Sequence, residues 1–419
     1  MSYLSIYVHI PFCVRKCNYC DFLSAPSDEE TRQDYVDALC DEITHRAEKF
    51  KDRIVDTVFF GGGTPSVLSG GQMSKIMATI RNSFQILPTA EISMEMNPGT
   101  ADFEKLEIYK ELGINRLSIG LQSADNEELK MLGRIHTWED FLKTWEMVRK
   151  AGFTNVNIDL MSALPGQTIE SYRNTLEKVL SLQPEHISAY SLIIEEGTLF
   201  YRWFEEEDGE SLEDISIGDE AMGFKEGKYK KLPDEVTDRQ MYEMTERMLK
   251  ENGYHRYEIS NYALAGYECK HNIGYWKRKE YLGLGLGSAS LLFDEREGGK
   301  INIRSGNVQN LNCYLNLGVE QDIFGEIIYD ENKWTEEYNL LTKKDQMEEF
   351  MFLGLRMMEG ICPAEFEQQF GKKLEDVYGS QITKLVKQGL LEQKEGTKRY
   401  ALTKQGIDVS NQVFVEFLY

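Results

Sequence analysis

Short apolar runs and helix-periodic stretches alternate over the first half of the chain. The runs are rich in β-branched and aromatic residues, and each is followed by a polar or glycine-containing loop. The pattern predicts strands near residues 4–10, 55–60, 91–96, 115–120, 154–160 and 186–193. Helices are predicted between them, the first from Ser27 to about Phe50. Six consecutive βα units predict an α/β fold with a parallel sheet, arranged as a partial (β/α)6 TIM-like barrel.

The pattern changes after about residue 235. An amphipathic helix is predicted over 237–252, followed by an α+β extension, and from about residue 340 the order is helix, helix, helix, short hairpin. That order resembles a winged helix. We therefore predict three domains, which are a core over 1–235, an extension over 236–335 and a small helical, winged-helix-like domain over 336–419. The third helix carries few basic residues, which favours a packing or lid role over DNA reading.

The residues that could bind a ligand or take part in a reaction follow the predicted strands. A cysteine cluster follows the first strand, the run Gly-Gly-Gly-Thr-Pro over 61–65 follows the second, and Glu95 ends the third. Polar residues also end the remaining strands, namely Gln122, Asp159 and Ser191. The carboxyl ends of barrel strands form one face, where active sites are built. The sequence therefore predicts a single pocket assembled from distant positions.

Cys13, Cys17 and Cys20 form the pattern C-x3-C-x2-C. Three thiolates at this spacing can hold three corners of a 4Fe-4S cube and leave the remaining iron open to a small molecule. A zinc site and unligated thiols are the alternatives, although structural zinc usually takes four ligands. A disulfide framework is not typical of a chain of 419 residues with seven cysteines.

Net charge and hydropathy narrow the range of partners. The formal charge of −23 disfavours nucleic acid. No apolar run approaches the ~20 residues that a membrane helix needs, and Met1 begins no recognisable signal segment. We expect a cytoplasmic protein that is not integral to a membrane, in a compartment that keeps thiols reduced. The acidic run over 205–220 is interpreted as a solvated loop or a charged helix face.

The glycines of the 61–65 run allow backbone amides to approach a ligand closely. The run lacks the Gly-Lys-Ser/Thr ending of a phosphate loop, and opposite an open iron it would suit the amino group of a bound amino acid. Glu95, Gln122, Arg134 and Asp159 add polar groups to the same predicted face. Simpler roles stay open for each of them. Arg134 could form a surface ion pair with the nearby acidic residues, and a lone carboxylate at a strand end often anchors a loop.

Several strings together resemble the radical S-adenosylmethionine superfamily. They are Tyr-Val-His-Ile-Pro-Phe-Cys-x3-Cys-x-Tyr-Cys, Gly-Gly-Gly-Thr-Pro, Gly-Leu-Gln-Ser, Leu-Gly-Arg-x-His-Thr and Asp-Leu-Met-x-Ala-Leu-Pro-Gly. Within the superfamily the similarity is to the oxygen-independent coproporphyrinogen III oxidase family, which includes a heme-chaperone branch. The resemblance implies that the open iron chelates S-adenosylmethionine, and that the reduced cluster can release a 5′-deoxyadenosyl radical. The resemblance implies that six residues contact the cofactor, namely Tyr7, Gly62, Glu95, Gln122, Arg134 and Asp159. It places three more nearby, namely Tyr19, Gly63 and Thr64.

Two features separate the branches of this family. Phe22 stands where the oxidase carries a further cysteine, and the chain starts only a few residues before Tyr7, without the oxidase's N-terminal extension. The string His-Asn-x-x-Tyr-Trp over 271–276 is the second feature. From the residues alone it could be a helix cap with two core aromatics. The resemblance instead marks it as the heme motif of the chaperone branch, with His271 as axial ligand and Cys269 as a rival. The basic residues around the motif are expected to meet heme propionates; they are Lys270, Lys277, Arg278 and Lys279.

The resemblance therefore predicts a heme chaperone. Such a protein would bind heme and deliver it to acceptor hemoproteins, including respiratory ones, and would carry a 4Fe-4S cluster and S-adenosylmethionine. Whether the protein is also an enzyme stays open. Whether it forms a homodimer stays open as well. The main alternative is an oxygen-independent coproporphyrinogen III dehydrogenase, which shares every cluster and cofactor residue. A radical enzyme acting on a compound other than a tetrapyrrole is a third possibility.

Overall fold

The computed structural model describes residues 2–204, 231–296, 299–317 and 333–418. The acidic run over 205–220 lies outside the described residues, so its interpretation stays a prediction. Among the described residues, no helix combines the length and the apolar character needed to cross a membrane.

Six strands run parallel in sequence order. They are β1 Ser2–Ile10, β2 Arg53–Gly62, β3 Gln85–Met96, β4 Arg116–Gln122, β5 Val156–Ser162 and β6 His186–Ser191. The predicted partial barrel of βα units is confirmed. Only β3 differs clearly from its prediction, because it begins at Gln85 instead of near residue 91. Pro88 cannot donate to the ladder, and the register with β2 shifts around it, which hides the first half of β3 from a periodicity analysis.

Helices follow these strands, and most of them pack against the outer face of the sheet. They are α1 Glu29–Ala47, α2 Gly70–Ser83, α3 Phe103–Glu111, α4 Asn126–Met131, α5 Trp138–Lys150, α6 Ile169–Ser181 and α7 Leu199–Phe204. Side-chain caps set their starts. Asp28, not Ser27, caps α1 by accepting from the Thr31 amide. Capping boxes begin α2, α5 and α6.

Alternation along β1 separates the two faces of the sheet. Leu4, Ile6 and Val8 are fully buried in the core shared with the helices. Tyr7 and His9 point to the opposite, inner face. This inner face, which we call the lumen, carries the polar and aromatic side chains of the candidate site.

The second half of the chain extends the sheet at both edges. Its elements are α8 Glu235–Glu251, β7 His255–Arg256, β8 Asn261–Ala263, α9 Lys270–Trp276, β9 Tyr281–Leu284, β10 Ala289–Arg296, β11 Gly299–Asn307, α10 Leu311–Leu315 and β12 Thr335–Leu341. The strand order is β12-β11-β10-β9-β1-β2-β3-β4-β5-β6-β8-β7. Strand β9 runs parallel to β1, whereas β8 runs antiparallel to β6. The α+β extension is therefore continuous with the barrel sheet.

The C-terminal residues form the predicted order of three helices and a hairpin. These are α11 Lys343–Gly354, α12 Pro363–Phe370, α13 Leu374–Lys387, β13 Leu391–Gln393 and β14 Tyr400–Leu402, and the unpredicted short helices α14 Lys404–Asp408 and α15 Ser410–Val415 follow. Met351, Phe366 and Tyr378 belong to a core of their own. The boundaries of the three domains stay a prediction.

Candidate functional site

The loop between β1 and α1 carries the three clustered cysteines, and backbone hydrogen bonds fold it back on itself. The Cys13 amide donates to the Ala25 carbonyl at 3.1 Å, and the Cys20 amide donates to the Cys17 carbonyl at 3.2 Å. All three thiols are free and partly exposed. Among the described residues, no three His, Cys, Asp or Glu side chains form a site for a single metal ion. A cube binds each thiolate to a different iron, so three separate thiols in one loop suit a cluster.

The glycine loop after β2 lies against the cysteine loop. The Gly63 amide donates to the Ile10 carbonyl at 2.8 Å, and the Thr64 amide donates to the Phe12 carbonyl at 2.7 Å. Gly62 has a φ of +106°, and a Cβ there would lie 2.4 Å from the His9 ring. Only glycine combines that backbone conformation with so close an approach.

Thr64 joins the two loops to the end of β3. Its hydroxyl lies 3.4 Å from the Cys13 thiol and accepts a hydrogen bond from the Asn97 side-chain amide at 2.8 Å. Thr64 is buried. The cysteine loop, the glycine loop and the carboxyl end of β3 are thus held as one unit.

Glu95 and Asp159 place two carboxyl groups on the lumen face. Glu95 accepts from the Gly62 amide at 3.2 Å. Burial, followed by the charge of Asp159, raises the pKa of Glu95 to about 8. The Asp159 carboxylate accepts from the Ser118 hydroxyl at 3.1 Å and from the side-chain amide of Asn157 at 2.7 Å. Burial raises the pKa of Asp159 as well. A cationic ligand group between these carboxyls would favour their charged forms.

Arg134 reaches the cysteine loop. Its guanidinium contacts the Cys17 sulfur at 3.6 Å, donates to Asn97 Oδ1 at 2.7 Å and also donates to the Gly120 carbonyl. The surface ion pair considered from the sequence does not form, because Asp125 caps α4 and Glu128 accepts from Ser123 at 2.6 Å. Arg134 is therefore positioned beside the cysteines.

Gln122 and Tyr19 complete the set predicted at this face. Gln122 has a φ of 73°, a left-handed conformation that is costly for a residue other than glycine and that often marks functional sites. Tyr19 stands beside Phe200, with ring centroids 6.5 Å apart. Their roles at a cofactor stay predictions.

The helix α9, which carries the His-Asn-x-x-Tyr-Trp motif, begins against the inner face of β3. The Glu91 carboxylate accepts from the backbone amides of Lys270 and His271, both at 3.1 Å. The Cys269 thiol lies 3.6 Å from the same carboxylate. The sheet thus supplies the cap of this helix, which receives no side-chain cap of its own.

His271 is enclosed in the lumen and is only 1% exposed. Its Nδ1 lies 2.8 Å from the Thr57 hydroxyl, its Nε2 lies 2.9 Å from the Tyr275 hydroxyl, and its ring stacks on Phe59 at 5.1 Å. Burial, with a smaller effect of Arg116, lowers the pKa of His271 to about 3. The imidazole is therefore neutral, and both of its nitrogens have partners.

Cys269, the rival ligand, is fully buried, and burial raises its pKa to about 12. A protonated thiol is a poor iron ligand, because the thiolate is the form that binds metals. His271 is chemically the better donor of the two.

A cavity of about 460 Å³ opens beside α9. It is of the size that binds small molecules and cofactors. Tyr7 belongs to its wall, so it connects the cavity to the face predicted for S-adenosylmethionine. Helix α11 closes one side. The lining residues are Tyr7, Tyr275, Trp276, Tyr281, Ala289, Leu291, Arg304, Glu349, Phe352 and Leu353.

Comparisons with known proteins agree with these features. The profile of the Radical SAM superfamily matches residues 7–179, and that of the HemN C-terminal domain matches 341–409. The chain is 35% identical to the heme chaperone HemW of Lactococcus lactis, covering 99% of this chain and 97% of that protein. It is 34% identical to HemW of Bacillus subtilis, covering 99% of both chains.

The chain belongs to the HemW family. HemW of Escherichia coli is 32% identical, over 99% of this chain and 98% of that protein. The radical S-adenosylmethionine fold predicted from the sequence is confirmed. The coproporphyrinogen III oxidase HemN of Escherichia coli shares this fold, with a TM-score of 0.77, 24% identity, and coverage of 99% of this chain and 90% of that one.

Sequence reasoning missed several residues around the motif of this HemW family member. Glu91, Phe59 and Arg304 contact α9 or line its cavity. Glu91 and Arg304 lie inside strands with no motif around them, and Phe59 belongs to the apolar run before the glycine loop. The only available signal was the alternation along β2 and β3, which places Phe59 and Glu91 on the same face as Glu95. Nothing in the sequence indicates which strand faces α9.

Proposed function

We propose that this protein binds heme and delivers it to acceptor hemoproteins, and that its radical S-adenosylmethionine core carries a 4Fe-4S cluster and the cofactor. One observation supports this most strongly. The Tyr and Trp of the His-Asn-x-x-Tyr-Trp motif line a cavity that also touches Tyr7 of the cofactor face. The names of the HemW relatives support heme as the bound molecule.

Cys13, Cys17 and Cys20 are the proposed cluster ligands. The cofactor would lie between the glycine loop and the inner ends of the strands, where Glu95 and Asp159 suit its cationic groups and Arg134 suits its carboxylate. When bound, the reduced cluster supplies the electron for radical formation from S-adenosylmethionine. The protein's own residues orient the cofactor and hold it close to the cysteine loop.

His271 is the proposed axial ligand. Imidazole nitrogen is a common axial ligand of heme iron. His271 is buried and does not itself line the cavity, whereas its Nε2 partner Tyr275 does, so ligation requires the Tyr275 hydroxyl to leave Nε2. The aromatic side chains of the cavity offer flat apolar surfaces to the macrocycle.

The experiment is a heme titration of the purified, cluster-loaded protein and its His271→Ala variant, followed by absorbance. We expect stoichiometric binding to the unaltered protein and a loss of affinity of at least about tenfold in the variant, with the cluster spectrum unchanged. His255→Ala is the matched control, because this histidine is exposed and pairs with Glu268 at 2.9 Å at the surface, outside the motif. Unchanged affinity in His271→Ala would remove the assignment of this ligand.

Coproporphyrinogen III dehydrogenase is the second candidate, because the chain has the fold of HemN over nearly its whole length. The deciding assay combines reconstituted protein, reductant, S-adenosylmethionine and coproporphyrinogen III without oxygen. We expect no sustained formation of protoporphyrinogen. Multiple turnovers would replace the chaperone proposal by the enzyme.

A cytoplasmic location, acceptor hemoproteins that include respiratory ones, and a homodimer belong to the same proposal. Heme transfer from the loaded protein to an apo-hemoprotein tests the delivery step. We expect the acceptor to gain its heme spectrum as the donor loses it. Retention of heme by the donor would restrict the function to binding.

A further inference from the structure

A buried carboxylate lies between two guanidinium groups at the wall of the cavity. Glu349 on α11 accepts from Arg278 Nε at 2.8 Å, and from Arg304 on β11 at 2.8 Å and 3.2 Å. Arg278 is 4% exposed and Glu349 is 8% exposed. Arg304 and Glu349 belong to the cavity lining, and Arg278 adjoins both through this network.

Among the described residues, this network joins two cations to a single carboxylate. Within the same part of the chain, Arg304 has one further side-chain hydrogen bond, to the Tyr281 hydroxyl at 3.2 Å. Both Nη atoms of Arg278 are buried and have no hydrogen-bond partner in the described part of the chain. Buried donors without a partner destabilise the folded protein. A further carboxylate would satisfy them.

The backbone of Arg278 adopts a conformation that is unfavourable for residues other than glycine. Arg278 follows α9 closely and has a φ of 51°, a left-handed conformation in which glycine is the usual residue. A residue with a Cβ is strained in this conformation. The other basic residues of this segment point to different partners, since Lys277 pairs with Glu359 at 2.7 Å and Lys279 with Asp56 at 3.7 Å.

We propose that Arg278 and Arg304 form the carboxylate-binding subsite of the cavity, and that Glu349 holds this subsite until a carboxylate of the cargo takes its place. The inference rests on the proposed heme function and names the part of heme that is recognised. Guanidinium groups bind carboxylates in a bidentate geometry, which a propionate side chain can adopt. Because Glu349 belongs to α11, the exchange also loosens the C-terminal helices from the sheet.

The first test needs no variant. The affinity of the cluster-loaded protein for ferric heme is compared with its affinity for ferric heme dimethyl ester, which keeps the macrocycle and the iron but carries no carboxylate. We expect heme to bind at least about tenfold more tightly. Equal affinities would overturn the subsite while leaving heme binding intact, whereas absence of heme binding would overturn the proposed function itself.

Two variants then test whether the two arginines cause the preference for heme over its dimethyl ester. Arg304→Gln removes one cation, and Arg278→Gly removes the other while supplying the residue that suits the left-handed backbone. Each is expected to reduce the affinity for heme about tenfold and to leave that for the diester unchanged. Lys277→Gln is the matched control, because it removes a neighbouring exposed charge that pairs outside the cavity. An equal loss for both ligands, or a similar effect of Lys277→Gln, would contradict the assignment.

Glu349→Gln tests the exchange. Without the internal carboxylate, both guanidiniums are available, so the variant is expected to bind heme more tightly than the unaltered protein, by about threefold or more, and the diester no more tightly. Thermal unfolding checks that the variant folds. A folded Glu349→Gln protein with weaker heme binding would show that Glu349 does not compete with the cargo.

Discussion

At the scale of single residues, His271 is tightly held within the candidate heme site. Thr57, Tyr275 and Phe59 fix its ring from three directions, and it has almost no contact with solvent. Iron ligation therefore competes with an existing hydrogen bond. The cost of breaking that bond is about 1 kcal/mol.

Tyr275→Phe removes this competitor and leaves Nε2 of His271 free. Heme affinity is expected to rise, by about fivefold for a hydrogen bond of this strength, with the absorbance spectrum of the imidazole complex retained. Tyr3→Phe, at a side chain that is 58% exposed, serves as the control. A spectrum that changes in Tyr275→Phe but not in His271→Ala would identify the phenol as the ligand.

Glu95 provides a pH-dependent prediction. Its pKa is raised from the ordinary value of 4.5 to about 8, so the neutral form stabilises the folded protein below pH 4.5, and that stabilisation is lost as the pH rises through 8. The loss amounts to at most about 5 kcal/mol, at ~1.4 kcal/mol per pH unit. In chemical denaturation without cofactor, Glu95→Gln is expected to remove this decline in unfolding free energy between pH 5 and 8. A decline of equal size in the variant would assign it to another group.

At the scale of elements, the cysteine loop and the glycine loop keep their conformations because their backbones pack closely against each other. The cysteine loop and the glycine loop share two backbone hydrogen bonds, and Gly62 has no room for a side chain beside His9. A change in one loop is therefore transmitted to the other. This coupling can be tested with a matched pair of glycines.

Gly62→Ala and Gly99→Ala both place a Cβ on a left-handed backbone, at φ values of +106° and +78°. An added Cβ meets the His9 ring at 2.4 Å in the first case and nothing within 4 Å in the second. We expect Gly99→Ala to cost roughly 1–2 kcal/mol of stability and to keep its cluster. Gly62→Ala is expected to cost more and to lower the iron and sulfide content after reconstitution. Equal losses would mean that backbone strain alone matters at Gly62.

How far the sequence predicts each element depends on whether the responsible signal is local. The six parallel strands, α8 and the C-terminal order follow from periodicity, and the caps fix most helix starts within the chain segment itself. The early start of β3 is hidden by Pro88, and the place of α9 inside the lumen depends on Glu91, which is far away in sequence. Periodicity shows which face of a strand is buried but not which element covers it.

At the scale of the whole molecule, aromatic rings connect the two candidate sites. Tyr7 stacks on Phe59 with ring centroids 6.3 Å apart, and Phe59 stacks on His271 at 5.1 Å. The Tyr7 hydroxyl donates to Nδ1 of His9 at 3.0 Å, because Nε2 of the same ring donates to the Leu23 carbonyl. The His9 ring in turn limits the space beside Gly62. Packed side chains with this continuity can transmit a change between sites.

We therefore expect S-adenosylmethionine to raise heme affinity by about fivefold, within the usual range of coupling energies. Linkage requires heme to raise the affinity for S-adenosylmethionine by the same factor. Phe59→Leu keeps an apolar side chain but removes the ring that connects Tyr7 to His271. In this variant the ratio of heme affinities with and without S-adenosylmethionine should approach one. Calorimetric titration of each ligand with and without the other measures this ratio. A factor that survives in Phe59→Leu would place the coupling elsewhere.

The position of the cavity beside β1 has a further consequence. The cofactor face lies at the carboxyl ends of the strands, whereas the cavity is bounded by β9, β10, β11 and α11 at the lateral edge of the same sheet. If the proposed function holds, a flat molecule would reach this cavity from the side of the barrel while the cofactor occupies the strand ends. The protein could then exchange its cargo while S-adenosylmethionine stays bound.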